Sequence, residues 1–211
     1  RIMVVMLAMV TVYFFLISLC FAADTVNLSV SAQVPQAENL KLTLFKLDSQ
    51  GTRNPGDDTG WNSPILPSSP EFAINFGELE LDEDLGIFTT NTYYALDCGV
   101  DGAGPWTIRH RVTSGFSGTG TDSLGDNIIV TFHKLEKVGT AETFTELEKT
   151  IIADSDRDFT SSDLAGGWLR IYYGIATGDP LAGEPDDAVP ITTQETADTY
   201  TGTIEITLIP G

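Results

Sequence analysis

Four aspartates within residues 154–163, namely Asp154, Asp156, Asp158 and Asp163, are the side chains whose type and spacing best suit a chemical task. Alternating carboxylates on a tight turn, with the hydroxyls of Thr160 and Ser162 close by, supply the hard oxygen ligands that calcium takes. The stretch departs from a helix-loop-helix calcium loop at two places. Phe159 stands where the sharp turn needs glycine, and Ala165 stands where a bidentate glutamate closes the coordination sphere. Calcium is therefore the one cofactor to test for, and no cofactor is required by the pattern. The competing reading is a solvated loop leading into a helix cap at Ser161 or Ser162. Asp82-Glu83-Asp84 and Asp186-Asp187 are weaker versions of the same signal.

A second kind of site would use aromatic rings. Trp61 sits between Gly60 and Asn62 in a polar stretch and is a candidate ligand contact. Trp106, Trp168, Tyr93, Tyr172 and Tyr173 fall on strand-like segments, where aromatics usually serve the core or pair across strands. Catalytic chemistry finds less support. His110 and His133 have no metal-ligand spacing with each other or with Cys98. His110 shares the apolar parity of its segment and reads as a core residue. Cys98 shares parity with Tyr94, Leu96 and Val100 and reads as a buried thiol. No Gly-x-Ser-x-Gly elbow is present, and no carboxylate pair is distinguished from the many acids. The expectation is that the chain is not an enzyme.

The elements that would position these residues are strands. Apolar residues alternate with polar ones at Val26, Leu28, Val30, Ala32 and Val34, and again at Leu40, Leu42 and Leu44. Further strands are expected over Phe72–Phe76, Thr92–Val100, Trp106–Val112, Asn127–Leu135, Trp168–Ala176 and Tyr200–Leu208. Clean alternation places one face in a core and the other in water, the antiparallel habit. Two short helices are expected, one at Ala141–Lys149 from the spacing of Phe144 and Leu147, and one at Ser161–Leu164. Proline and glycine cluster in 48–70, which is too long for an ordinary hairpin and reads as a decorated or binding loop. Residues 113–126 and 177–190 are shorter loops of similar composition. The sum predicts an all-β chain, an antiparallel β-sandwich of Ig-like or jelly-roll-like kind, forming one domain over residues 23–211.

Ahead of that domain, residues 1–22 form an almost unbroken apolar run. Small residues at Cys20 and Ala22 fit a signal-peptidase cut after Ala22. An uncleaved anchor is the second reading, since the run is about long enough to span a bilayer, and a lipoprotein cysteine at Cys20 is the third. An N-terminal apolar signal helix places the domain outside the cytoplasm, secreted or on the cell surface. The 30 acidic residues outnumber the 11 basic ones, for a net charge of −19. Such a surface repels nucleic acid and anionic lipid, so contact with membrane is expected through residues 1–22 alone. With Cys20 removed, Cys98 would stand alone, and the domain would rely on its core in place of a disulfide.

Short motifs add a resemblance. Phe76-Gly77-Glu78-Leu79, the turn Gly99-Val100-Asp101-Gly102-Ala103-Gly104-Pro105 and the strand start Trp106-Thr107-Ile108 resemble the first half of WxL-type bacterial surface domains. Thr199–Leu208 resembles their closing strand. Ile108 replaces the first motif leucine, and Ile206 replaces the second tryptophan. The Phe-Gly start and Tyr-x-Gly closing strand are also similar to spore-coat-protein-U-like and other fimbrial subunits. The resemblance implies a secreted cell-surface β-sandwich with a structural or adhesive role, partnered by itself or by other surface proteins. The segment Ala23–Val34 could add as a strand to a neighbour's sheet or serve as the first strand of its own. The alternative function is a non-catalytic module for cell-wall or extracellular glycan, using 48–70 and Trp61.

Overall fold

The computed structural model describes residues 26–33, 40–47, 71–90, 92–102, 104–120, 122–138, 141–153, 156–178, 184 and 186–211. In chain order the strands are β1 (Asn27–Gln33), β2 (Leu40–Leu47), β3 (Glu71–Glu78), β4 (Glu80–Asp82), β5 (Ile87–Thr89), β6 (Tyr93–Val100) and β7 (Trp106–Ser117). They continue as β8 (Ile128–Val138), β9 (Ala141–Ile152), β10 (Arg157–Thr160), β11 (Trp168–Ile175), β12 (Ile191–Thr192) and β13 (Thr199–Pro210). One four-residue helix, α1 (Ser161–Leu164), lies between β10 and β11.

Two five-stranded sheets carry the fold. The first runs β10-β7-β13-β1-β3 and the second β2-β6-β11-β8-β9, with a small third sheet β12-β5-β4. The large sheets share one core in a β-sandwich-like arrangement. Ile74, Ile108, Ile204 and Ile206 of the first meet Leu44, Leu96, Leu169 and Ile171 of the second. Alternation dictates this directly: along β13 Tyr200, Gly202, Ile204 and Ile206 are buried while Thr201 is exposed. Burying such residues, at about 25 cal/mol per Å² of apolar surface, supplies the main favourable term.

The residues of the short motifs turn out to shape the backbone. Leu28 pairs with Gly77 and Ser29 with Asn75, so Phe76 is the extra residue of a β-bulge. Gly77 takes φ 73° there, and its N–H donates to Asn75 Oδ1 at 2.8 Å. Phe76 drops into the core edge-on to Tyr94, with ring centroids 5.5 Å apart. The Tyr94 hydroxyl donates to the Asn75 carbonyl at 2.6 Å and accepts from its N–H at 3.2 Å, joining the two large sheets. At the far side of the sandwich, Arg157 of β10 reaches Glu148 of β9 at 2.7 Å. In the closing strand, the Tyr200 hydroxyl donates to the Thr196 carbonyl four residues upstream, at 2.7 Å, in the manner of a tyrosine corner. A Cβ at Gly202 would lie 2.2 Å from the Phe116 ring, so that position must be glycine for the ring to pack.

Three expectations change. The sandwich is not wholly antiparallel, because β1 runs parallel to β13 from Asn27↔Thr199 to Gln33↔Glu205. No hairpin joins these two strands, so no turn fixes their relative direction, and alternation looks the same for either. Residues 141–149 are not helical but belong to β9. A spacing of three puts Phe144 and Leu147 on one helix face, but the strand sends Phe144 toward Arg170 and Leu147 toward the core. Thr143, Thr145, Ile151 and Ile152 supply the β-branched content that favours the strand. Finally, β6 and β11 do not keep one face wet, since almost every residue in both is buried.

Candidate functional site

The three described aspartates of the stretch, Asp156, Asp158 and Asp163, each contact a protein group. Asp158 on β10 receives both arms of Arg109, Nε to Oδ1 and Nη2 to Oδ2 at 2.7 Å each. The hydrogen bonds and charge of Arg109 hold its carboxyl below the ordinary range. Asp156 lies 3.9 Å from Arg111. Asp163 closes a capping box on α1: its carboxylate accepts from Thr160 Oγ1 at 2.6 Å and from Thr160 N–H at 2.8 Å. These bonds lower its pKa. The cap is therefore Thr160, one residue before the expected serines. Asp154 lies outside the described residues, as does Trp61 with the whole of 48–70. Among the described residues, no three His, Cys, Asp or Glu side chains gather around a common point.

His133 lies on the outer face of the second sheet, whereas Cys98 and His110 both face the core between the large sheets. His110 is buried between them, stacked on Tyr173 with centroids 6.0 Å apart and edge-on to Phe132 at 5.3 Å. His133 points from the opposite face of β8 toward Tyr172, at 5.6 Å. Burial pushes the Cys98 thiol well above its ordinary range, and the charge of Asp97 adds to the effect. A thiol held protonated is a poor nucleophile. Tyr173 is pushed up by burial in the same way.

A cluster of charged side chains that no sequence motif marks lies on the outer face of β6 and β11. The register sets Asp97 beside Arg170, and Arg170 Nε meets Asp97 Oδ1 at 2.6 Å while Nη2 meets Oδ2 at 2.9 Å. Both side chains are at most 2% exposed. Burial works against the Arg170 charge, but the hydrogen bonds and charge of Asp97 prevail and its pKa is raised. Lys137 Nζ approaches Asp97 at 3.6 Å and Glu142 at 3.4 Å, and Arg170 reaches Glu142 at 3.7 Å. Two aromatic rings complete the cluster: Lys137 Nζ stands 5.1 Å from the centre of Trp168, and the Arg170 guanidinium 5.0 Å from that of Phe144. A signal did exist in the sequence. Asp97 is the one charged residue in Tyr93–Val100, and Arg170 the one in Trp168–Ile175.

No protein-family model matches the chain, and no curated protein sequence matches it.

Proposed function

We propose that this chain is an extracytoplasmic, non-catalytic surface protein of a bacterium, with a structural or adhesive role and an Ig-like or jelly-roll-like sandwich as its scaffold. One observation carries the reading. The first described strand, β1, fills a slot between β13 and β3 and pairs along its length with both. Val26 and Leu28 are fully buried in the core at that slot. A strand that fills a slot between two others in this way is suited to exchange between copies, with main-chain hydrogen bonds supplying affinity and alternate side chains filling pockets. The partner on this reading is a second copy or another surface protein. The acidity of the chain, at −19, agrees with a soluble exported surface and disfavours nucleic acid.

Light scattering on size-exclusion peaks of residues 24–211, with and without calcium, tests this reading. Oligomers are expected. Deleting 24–34 should abolish them and leave a fold that accepts the free 24–34 peptide. A strictly monomeric chain, or a deletion variant that assembles as before, overturns it.

A further inference from the structure

We propose that the outer rim of the second sheet around Trp168 binds a neutral glycan. The inference goes beyond the assembly reading and stands without it. Trp168 opens β11 and is partly exposed. A Cβ built on Gly99 would lie 2.8, 2.8 and 2.9 Å from the indole atoms Cδ2, Cε2 and Cε3. Near-equal distances to three ring atoms mean that the indole lies flat across the Gly99 backbone. Any larger residue at 99 would lift it. One ring face is therefore closed by the sheet, and the other is directed away from it.

The surroundings of that ring suit a sugar. A pyranose offers a C–H face that stacks on an indole and a rim of hydroxyls that take hydrogen bonds from charged groups. Lys137, 41% exposed, stands over the ring, and Glu142, 38% exposed, pairs with it. On the other side Lys41 is bridged to Asp101, and both are more than half exposed. Lys41 lies directly opposite Gly99 in the sheet register. A flat ring flanked by donors and acceptors on both sides is thus set in a row across the strands. Two residues further along the same outer face, the buried Asp97–Arg170 pair is tied to Lys137 and Glu142. A sugar ring takes the place of the Lys137 ammonium over the indole, and that ammonium turns to a hydroxyl. Each lysine of the rim is matched by an acid, and the chain as a whole is strongly negative, so anionic polymers are repelled.

Affinity electrophoresis of the purified chain through gels containing soluble xylan, mixed-linkage β-glucan or galactomannan tests the site, with alginate as the anionic control. Retardation is expected in at least one neutral gel and not in alginate. Trp168→Ala should weaken it at least tenfold, Lys137→Ala about threefold or more, and Trp61→Ala should leave it unchanged. Should Trp168→Ala fail to fold by circular dichroism, Lys137→Ala and the change in wild-type tryptophan fluorescence on adding the retarding glycan decide the matter. No retardation in any neutral gel, equal retardation in alginate, or unchanged binding by Lys137→Ala together with loss in Trp61→Ala overturns the proposal.

Discussion

The two faces of β6 and β11 are both buried, yet they are built from different materials. Toward the sandwich, Leu96, Cys98, Leu169, Ile171 and Tyr173 join one continuous apolar core. On the other side Tyr93, Ala95, Asp97, Arg170 and Tyr172 are equally hidden, next to Thr131 and His133 of β8. The inner face gains stability through area and packing, which tolerate many hydrophobic combinations. The outer face depends on pairing, because a desolvated carboxylate or guanidinium is acceptable only with its partner in place. Burial alone therefore does not say what a residue contributes. The inner face favours any arrangement that stacks the sheets, whereas the outer pair is satisfied in the register that sets Asp97 beside Arg170.

Breaking the outer pair should have the largest effect. Asp97→Ala leaves the Arg170 charge buried without its bidentate acceptor and is expected to cost about 3–5 kcal/mol, measured by urea unfolding. Replacing Asp97 and Arg170 together by leucine should recover most of that loss, since no orphaned charge remains. If the double variant is as unstable as the single one, the outer face is held by the geometry of the pair itself and the contrast with the inner face sharpens. A modest truncation of the inner face should cost less: Ile171→Val removes one methylene from the core and is expected to lose about 0.5–1.5 kcal/mol. A loss larger than that of Asp97→Ala would break the comparison.

The smallest effect belongs to exposed carboxylates. Asp158 and Asp163 have folded pKa values below their unfolded ones. Their contribution is complete above the unfolded value of about 3.9 and is lost as pH falls through the folded value. Urea midpoints of the wild type should therefore drop below about pH 4. Asp158→Asn should flatten that slope slightly, because Arg109 and Asp158 are both well exposed and water screens the pair.

Much of this was legible in the residues. Strand-like runs located β1, β2, β3, β6, β7, β8, β11 and β13; β6 and β11 are buried on both faces, and in a strand with one wet face the side chains must repeat every two residues whatever its neighbours. The parity of Cys98 and His110 foretold their burial. The strands β4, β5, β10 and β12, of two to four residues each, were not recognised. Runs so short carry too few periods to register; β5, β10 and β12 send Phe88, Phe159 and Ile191 into the common core, and β4 pairs with β5. β9 was misread because Phe144 and Leu147 answer to two different surroundings, and spacing cannot show which.

The sequence by itself determined the class of the protein, its acidic surface and the inward face of most long strands, since those follow from local periodicity and from charge. Only the tertiary structure decided that β1 lies parallel to β13, that Asp97 and Arg170 meet, and that Trp168 lies flat on Gly99. Each of these joins positions 69 or more residues apart, from Gly99 and Trp168 to Asn27 and Thr199. No local preference encodes such a contact. It is selected by the free energy of the whole packed arrangement, in which a buried charge must find its partner and a ring must find a place without a side chain.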